Sequence, residues 1–523
     1  AIYSCHFLAS WSSRMWSFSM GLFLASVSTE SMQLSATYGL SRGAAILLLG
    51  AIIGDWVDQT PRLKAATLTM IGQNVLVLSC SCVILALTIT VSQMDHVDTW
   101  LRYLLYAIII SLSVSSRLMK EARILVMERD WIVEMCDRDE HHLAVMTSSF
   151  RRIDLLTKML APVAIGHIMT YAGTSVGCVF VGVWSLLSLG AEYFLIRRAY
   201  AIVPTLRSKK HPRNAPVTPN LSDSNPIAPN TSDSTDKLHQ DNSLRRAGFF
   251  FSSLRQRQPS KRRKARCHWW RMFGTFIALY RGLRIYVSYD VMLTGLALAS
   301  LYLTVLGFDE VTIGYATAHG LKGSVLGTLM GTGAGFGILA TFTYPFIVRR
   351  LGLANTGILA LGLQVTCLSL CVISLWLPGS NFVPVSSSDV NNSSHFVNRS
   401  LSDRDALILP SNSNNISISG FIMANDEKTP DISIWVMIAG VVLARFGLWT
   451  ADLTIIQLFL ERVDTKERGI VNGVQGSLNQ LMDFLKYGLV HFLPHIHQFG
   501  ILVIISFGFI CTGWTLMCVY AMK

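Results

Sequence analysis

Charged side chains are scarce in this chain: Asp, Glu, Lys and Arg make 15% of 523 residues, against 51% hydrophobic ones. No soluble core needs the number of unbroken apolar runs that this balance produces. The ten cysteines include no CxxC pair and are scattered, which excludes a disulfide framework and a structural zinc site. Nor is there a nucleophile–base pairing, a cofactor loop or a soluble catalytic domain, so the chain does not read as an enzyme. The glycine-rich stretch at 327–337 (GTLMGTGAGFG) lacks the strand–loop–helix context of a phosphate cradle and reads as close helix packing.

What is present is about twelve apolar stretches, each of a length that crosses a bilayer. They fall near 7–28, 33–54, 64–92, 100–127, 143–171 and 174–200, then 288–318, 323–347, 353–377, 432–461, 468–493 and 498–521. Two sets of six around a polar insert are the ground plan of a secondary transporter whose halves move about a central site. The expected fold is therefore an all-α membrane protein with two six-helix lobes, 1–200 and 272–523, joined by a linker at 201–271. Span seven holds Gly307, Gly314 and two acids, so it is expected to break mid-membrane, where irregular backbone is tolerated only beside a cavity.

Basic residues set the orientation. Arg62 and Lys64, Arg129 and Arg138, Arg349 and Arg350, and Arg462, Lys466 and Arg468 all fall on one side, which the positive-inside rule makes cytosolic. Both termini are then cytosolic, and a multi-pass plasma-membrane protein is expected. The net charge of +12 owes much to 255–266 (RQRQPSKRRKAR), which reads as a juxtamembrane segment facing anionic lipid, not as a nucleic-acid site. The rest of the insert is Pro-, Ser-, Asn- and Asp-rich and reads as disordered. Residues 273–286 read as an amphipathic helix along the inner surface. The long external loop at about 378–431 carries the glycosylation sequons Asn391, Asn392, Asn398 and Asn415, whereas Asn220 and Asn230 fall on the cytosolic side. The chain begins with Ala, so a short preceding piece is expected; no cleavable signal peptide is visible.

The loop GAIIGDWVDQTPRLK at 50–64 resembles the signature of the major facilitator superfamily, with Asp55 and Arg62 as a cytosolic charge latch or a solvated turn. Longer strings narrow the resemblance. RMWSF at 14–18, AIIGDWVD at 51–58, RDWIV at 129–133 and RRIDLLTKMLAP at 151–162 are similar to ferroportins, the cellular iron exporters. So are LYLTVLGFDE at 301–310, GLWTADLTIIQL at 447–458 and ERGIVNGVQGSLNQLMDFLKY at 467–487. The resemblance covers essentially all twelve spans. It implies a two-lobed transporter releasing ferrous iron to the outside, with a metal site in each lobe and no permanently bound cofactor.

All four ligands implied by the resemblance are changed. The Asp and His expected one turn apart on span one are Ser13 and Ser17; the Cys after the FD of span seven is Glu310; the span-eleven His is Lys486. Serine hydroxyls are poor ligands for ferrous iron. Gln73, Asn74 and Glu192 match a family calcium site that has lost its Asp and has Ser185 for an Asn, so calcium binding is expected to be weak or absent; hydrogen bonding between helices is the other use for them. In the second lobe Asp309 and Glu310 would offer oxygens to a divalent ion, facing Asp483, with Lys486 as counter-charge to Glu310 or Asp483. His491, His495 and His497, with His319, read as an exit-side metal relay or as interfacial residues. Asp130, Arg151, Arg152 and Asp154, with Arg468 as a cross-lobe partner, match positions that close the cytosolic side; a static surface network is the alternative. The resemblance further implies control by the peptide hormone hepcidin through the span-seven Cys, and Glu310 supplies no thiolate, so hepcidin-type binding is not expected. The leading reading is export of a divalent metal; the alternatives are the same fold with another metal or small organic cargo, or a non-transporting relative.

Overall fold

In lipid, each backbone donor and acceptor must be paired within the protein, and a helix satisfies that for a single apolar run. The structure, a computed structural model, describes residues 1–27, 31–93, 99–136, 140–207, 280–380, 431–464 and 467–523. Among them the regular elements are helices, with one isolated bridge between Ser31 and His495. The first lobe comprises α1 (Ile2–Val27), α2 (Gln33–Gln59), α3 (Arg62–Gln93), α4 (Thr99–Ile124), α5 (Glu140–Tyr171) and α6 (Thr174–Ile202). The second comprises α7 (Met292–Tyr302), α8 (Glu310–Ala318), α9 (Gly323–Leu351), α10 (Leu353–Ile373), α11 (Ile432–Arg462), α12 (Arg468–Phe492) and α13 (Phe499–Met522). Helix α4 runs through a π-helical turn, Leu125–Trp131, into Ile132–Met135.

Among the described residues, eight helices are long and apolar enough to cross a membrane, and up to ten if each of two bent pairs is one span. Helices α1 and α12 fall short of that standard of length and composition. The reason is chemical. Helix α1 turns Ser10, Ser12 and Ser13 into the protein, and α12 buries Gln475 and Lys486. A helix that lines a polar interior does not need the apolar composition of one that faces lipid.

Span seven breaks as its composition predicts. Between α7 and α8 the chain is satisfied by side chains: Val305 N–H donates to Ser506 Oγ at 3.0 Å, Thr312 Oγ1 donates to the Val305 carbonyl at 2.6 Å, and Asp309 caps α8 by accepting from Thr312 N–H at 3.1 Å. Before α7, the short helix Tyr280–Val287 turns 119° away from Met292–Tyr302, the place expected for a surface helix; 273–279 lie outside the described residues. So do the linker beyond 207 and the external loop from 381 to 430, with all six sequons.

The lobes touch through small residues. A Cβ added at Gly331 on α9 would lie 2.9 Å from the Met159 carbonyl on α5, next to Pro162, so the glycine stretch allows the close packing expected of it. Gly21 of α1 faces Ile313 of α8 at 3.1 Å, and on α2 Gly39 lies against the Tyr487 ring and Gly43 against Phe484 of α12. These α1–α8 and α2–α12 contacts lie in the half of the bundle expected to face outward.

Candidate functional site

The break in span seven places Asp309 and Glu310 at the start of α8, which packs against α1 of the other lobe. Glu310 is buried, and its Oε1 accepts from Arg42 Nη1 of α2 at 2.6 Å while Oε2 accepts from Tyr487 Oη at 2.8 Å. Arg42 Nη2 also donates to Tyr487 Oη at 2.8 Å and lies 3.8 Å from Asp483 Oδ2. Lys486 Nζ is 3.1 Å from Asp309 Oδ2 and 2.7 Å from Asp483 Oδ1. Arg42 further lies over the rings of Tyr38 and Tyr487, at 5.7 and 5.2 Å.

The three acids expected to face a metal thus converge, as do the two halves of the protein. Two tethered cations sit among them. Lys486 is a counter-charge to Asp483, as expected, but its second acid is Asp309; Glu310 is held by Arg42 from the other lobe. That arginine was missed because one base in an otherwise apolar run barely alters its hydropathy. An ionisable residue inside a span is the signal that would have found it.

In the first lobe the Ser17 hydroxyl donates to the Ser13 carbonyl at 2.9 Å and so is spent on its own helix. Ser13 is buried and lines a cavity of about 300 Å³ between α1, α4, the π-helical turn and α5. Arg14, Arg117, Lys120, Glu121, Arg123, Glu128, His6 and Asp154 share that lining. Beside it Glu192 is fully buried, accepting from Ser188 Oγ at 2.5 Å and from Arg123 Nη1 at 3.3 Å. Arg123 also donates to the Ala9 carbonyl. Gln73 and Asn74 are buried nearby, Asn74 donating to the Met70 carbonyl at 3.3 Å, and Gln73 Oε1 and Ser185 Oγ have no hydrogen-bond partner among the described residues. These residues do not fit calcium, which collects several oxygens around its charge. The one carboxylate already meets a guanidinium.

The remaining candidates are dispersed. Arg62 joins Asp130 at 3.3 Å and Glu134 at 2.8 Å, tying the start of α3 to the π-helical turn and to Ile132–Met135 within one lobe; Asp55 is exposed. Arg151 does reach the other lobe, lying 5.5 Å from the Trp449 ring, as does Lys158 at 4.8 Å. Arg152 is exposed. Asp154 turns to α1, accepting from Ser10 Oγ at 2.8 Å with His6 at 3.3 Å. Arg468 is not turned across the lobes in this structure: it donates to the Leu460 carbonyl at 2.6 Å, since the end of α11 offers unpaired carbonyls to a nearby base. His495 and His497 stack at 5.3 Å, His491 lies against Thr37, and buried His319 contacts the Tyr315 carbonyl. In the described residues these imidazoles do not close on one metal-sized point. Among the described residues, the group that does is His6, Glu128 and Asp154.

Comparisons with known proteins agree with this architecture. The sequence profile of Ferroportin1 (FPN1) matches residues 1–510. Ferroportin of Rattus norvegicus is 35% identical over 528 residues, covering 100% of this chain and 90% of the relative. Ferroportin of Homo sapiens is 35% identical over 526 residues, covering 98% and 89%. Solute carrier family 40 member 1 of Oryza sativa subsp. japonica is 26% identical over 512 residues, covering 97% and 87%. In fold, the chain is similar to a bacterial homologue of the iron transporter ferroportin in its inward-facing state, with TM-score 0.68 at 18% identity over 100% of this chain and 98% of that one.

Proposed function

The chain belongs to the ferroportin family of membrane transporters, and from that premise we propose that it exports ferrous iron, or a related divalent metal, by alternating access. It is a transporter and not an enzyme. The observation that carries the mechanism is the cross-lobe bond from Arg42 to Glu310, at the break of span seven. On this reading α2 and α12 close the outer side, while the first-lobe cavity, lined by His6, Glu128 and Asp154, lies toward the cytosolic side. Opening outward separates Arg42 from Glu310 and exposes the acids Asp309, Glu310 and Asp483. A dication passing between the lobes competes with Arg42 and Lys486 for these carboxylates, so that cargo and closure draw on the same charges. Both termini lie in the cytosol, the membrane is the plasma membrane, and the sequons of the external loop are glycosylated.

Radioactive ferrous iron efflux from cells expressing the chain tests this. Efflux above empty-vector cells, lowered by Glu310→Ala, is expected; retention equal to empty-vector cells overturns it. A second reading, the same fold with a different cargo, is favoured by the same two bases, because they neutralise most of the charge a metal would use. A cargo panel in reconstituted vesicles separates the two. Since Glu310 offers a carboxylate already engaged by Arg42 and Tyr487, a hepcidin-type peptide finds no thiolate and leaves the surface level unchanged.

A further inference from the structure

Positions 6, 10, 13 and 17 of α1 are spaced four, three and four apart, which sets them on one stripe of the helix. The upper part of that stripe, Ser13 and Ser17, offers only hydroxyls. His6 is the ligating side chain on it, about two turns nearer the expected cytosolic end. Its Nε2 is 3.3 Å from Asp154 Oδ1 on α5, and Ser10 Oγ donates to the same oxygen at 2.8 Å. The third corner is Glu128, carried by the π-helical turn Leu125–Trp131. Such turns break the regular register of a helix and recur at functional sites. One ligand atom from each of His6, Glu128 and Asp154 lies within 4.8 Å of the others, and all three line the 300 Å³ cavity.

We propose that His6, Glu128 and Asp154 form a divalent-metal site at the cytosolic side of the first lobe, displaced along α1 from Ser13 and Ser17. The proposal rests on the metal-export reading for the identity of its cargo. One imidazole and two carboxylates suit a first-row ion of the ferrous or manganous kind, and two negative charges balance a dication. Ligand atoms at about 2.1 Å from an ion stand at most about 4.2 Å apart, so small side-chain rotations close the observed spacing. Of the surrounding bases, Arg117 is held by Glu121 at 3.0 Å and Arg123 by Glu192 at 3.3 Å. Arg14 and Lys120 also line the cavity, and neither has an ion-pair partner within 4.0 Å among the described residues. Their charge offsets the attraction of the triad, as a transit site requires, since cargo must leave as readily as it arrives.

The test uses the purified full chain in detergent, titrated with Co2+ and followed by its d–d absorption, with Mn2+ and electron paramagnetic resonance as a second probe. Wild type is expected to bind, His6→Gln and Glu128→Gln to bind about tenfold or more weakly, and His6→Asp, which keeps a ligand, to retain binding. Asp154 also ties α5 to α1 through Ser10, so the decision rests on the other two positions, with melting temperatures confirming that each variant is folded. Equal affinity in wild type and both Gln variants overturns the proposal, as does binding of citrate or phosphate at Arg14 and Lys120 without either metal. Metal binding lost in the variants of a chain that exports no iron leaves this site standing and removes the export reading; iron export with metal binding unchanged in the variants does the reverse.

Discussion

Arg42 and Glu310 lie 268 positions apart in sequence and 2.6 Å apart in space, and they join the two lobes at the point where span seven breaks. Side chains this poorly exposed, at 16% and 8%, leave a charge uncompensated when either partner is removed. Breaking such a pair costs about 3–5 kcal/mol, whereas replacing both partners with apolar groups of similar volume is often neutral. Arg42→Gln and Glu310→Gln are therefore each expected to lower the melting temperature in detergent, and Arg42→Met with Glu310→Leu to recover most of it. Single variants that melt like wild type would mean that the bond contributes nothing.

The contact of α5 with α9 has a different origin, close approach of backbones at glycine. Gly331→Val puts a branched side chain where a single Cβ would already lie 2.9 Å from the Met159 carbonyl. Overpacking of this kind costs about 1–3 kcal/mol. Thermal unfolding is expected to show that loss for Gly331→Val and almost none for Gly335→Val, whose added Cβ meets nothing within 4 Å. An equal effect at both positions would locate the cause in helix propensity and not in the lobe contact.

The architecture was legible because the bilayer imposes one length and one pairing rule on every span. The break of span seven was legible too, from Gly307 and two adjacent acids, as was the packing role of the glycine stretch. The site was legible only in half. Asp309, Glu310, Asp483 and Lys486 were singled out and are together, yet Arg42, Arg123, Arg14 and Lys120 were passed over. Arg42 and Arg14 are each the single Lys or Arg of a long run, α2 and α1, while Lys120 and Arg123 stand among the bases at one end of α4; the acids that Arg42 and Arg123 meet lie on other helices. Glu128 depends on a π-helical turn, which no periodicity announces, and His6 stands just before the stretch taken as the first span.

Arg123 stands where a bound cation would otherwise meet Glu192. A full carboxylate inside the lobe, with Ser188 and Arg123 as its partners, needs the guanidinium more than any oxygen cage nearby. Calcium is accordingly expected to leave the melting temperature of wild type unchanged up to millimolar concentration. Arg123→Met is expected to lower it by several degrees, and adding Glu192→Gln to restore most of the loss. A clear calcium-dependent rise in wild type would show that the oxygens at Gln73, Asn74 and Ser185 suffice after all.

Lys486 decides whether the second lobe can hold a metal unaided. Its ammonium lies between Asp309 and Asp483, at 3.1 and 2.7 Å, so any dication must displace it or bind beside it against its charge. Lys486→Met removes that competitor and leaves two carboxylates facing each other, whose mutual repulsion a metal relieves. Mn2+ is therefore expected to raise the melting temperature of Lys486→Met more than that of wild type. A ligand present at 100 times its dissociation constant adds about 2.7 kcal/mol of stability, well within reach of a thermal assay. Adding Asp309→Asn should abolish the gain, because it removes one of the two oxygens donors the ion needs. If Mn2+ stabilises wild type as strongly as Lys486→Met, the lysine is no obstacle, and the second lobe binds metal through oxygens that Lys486 does not touch.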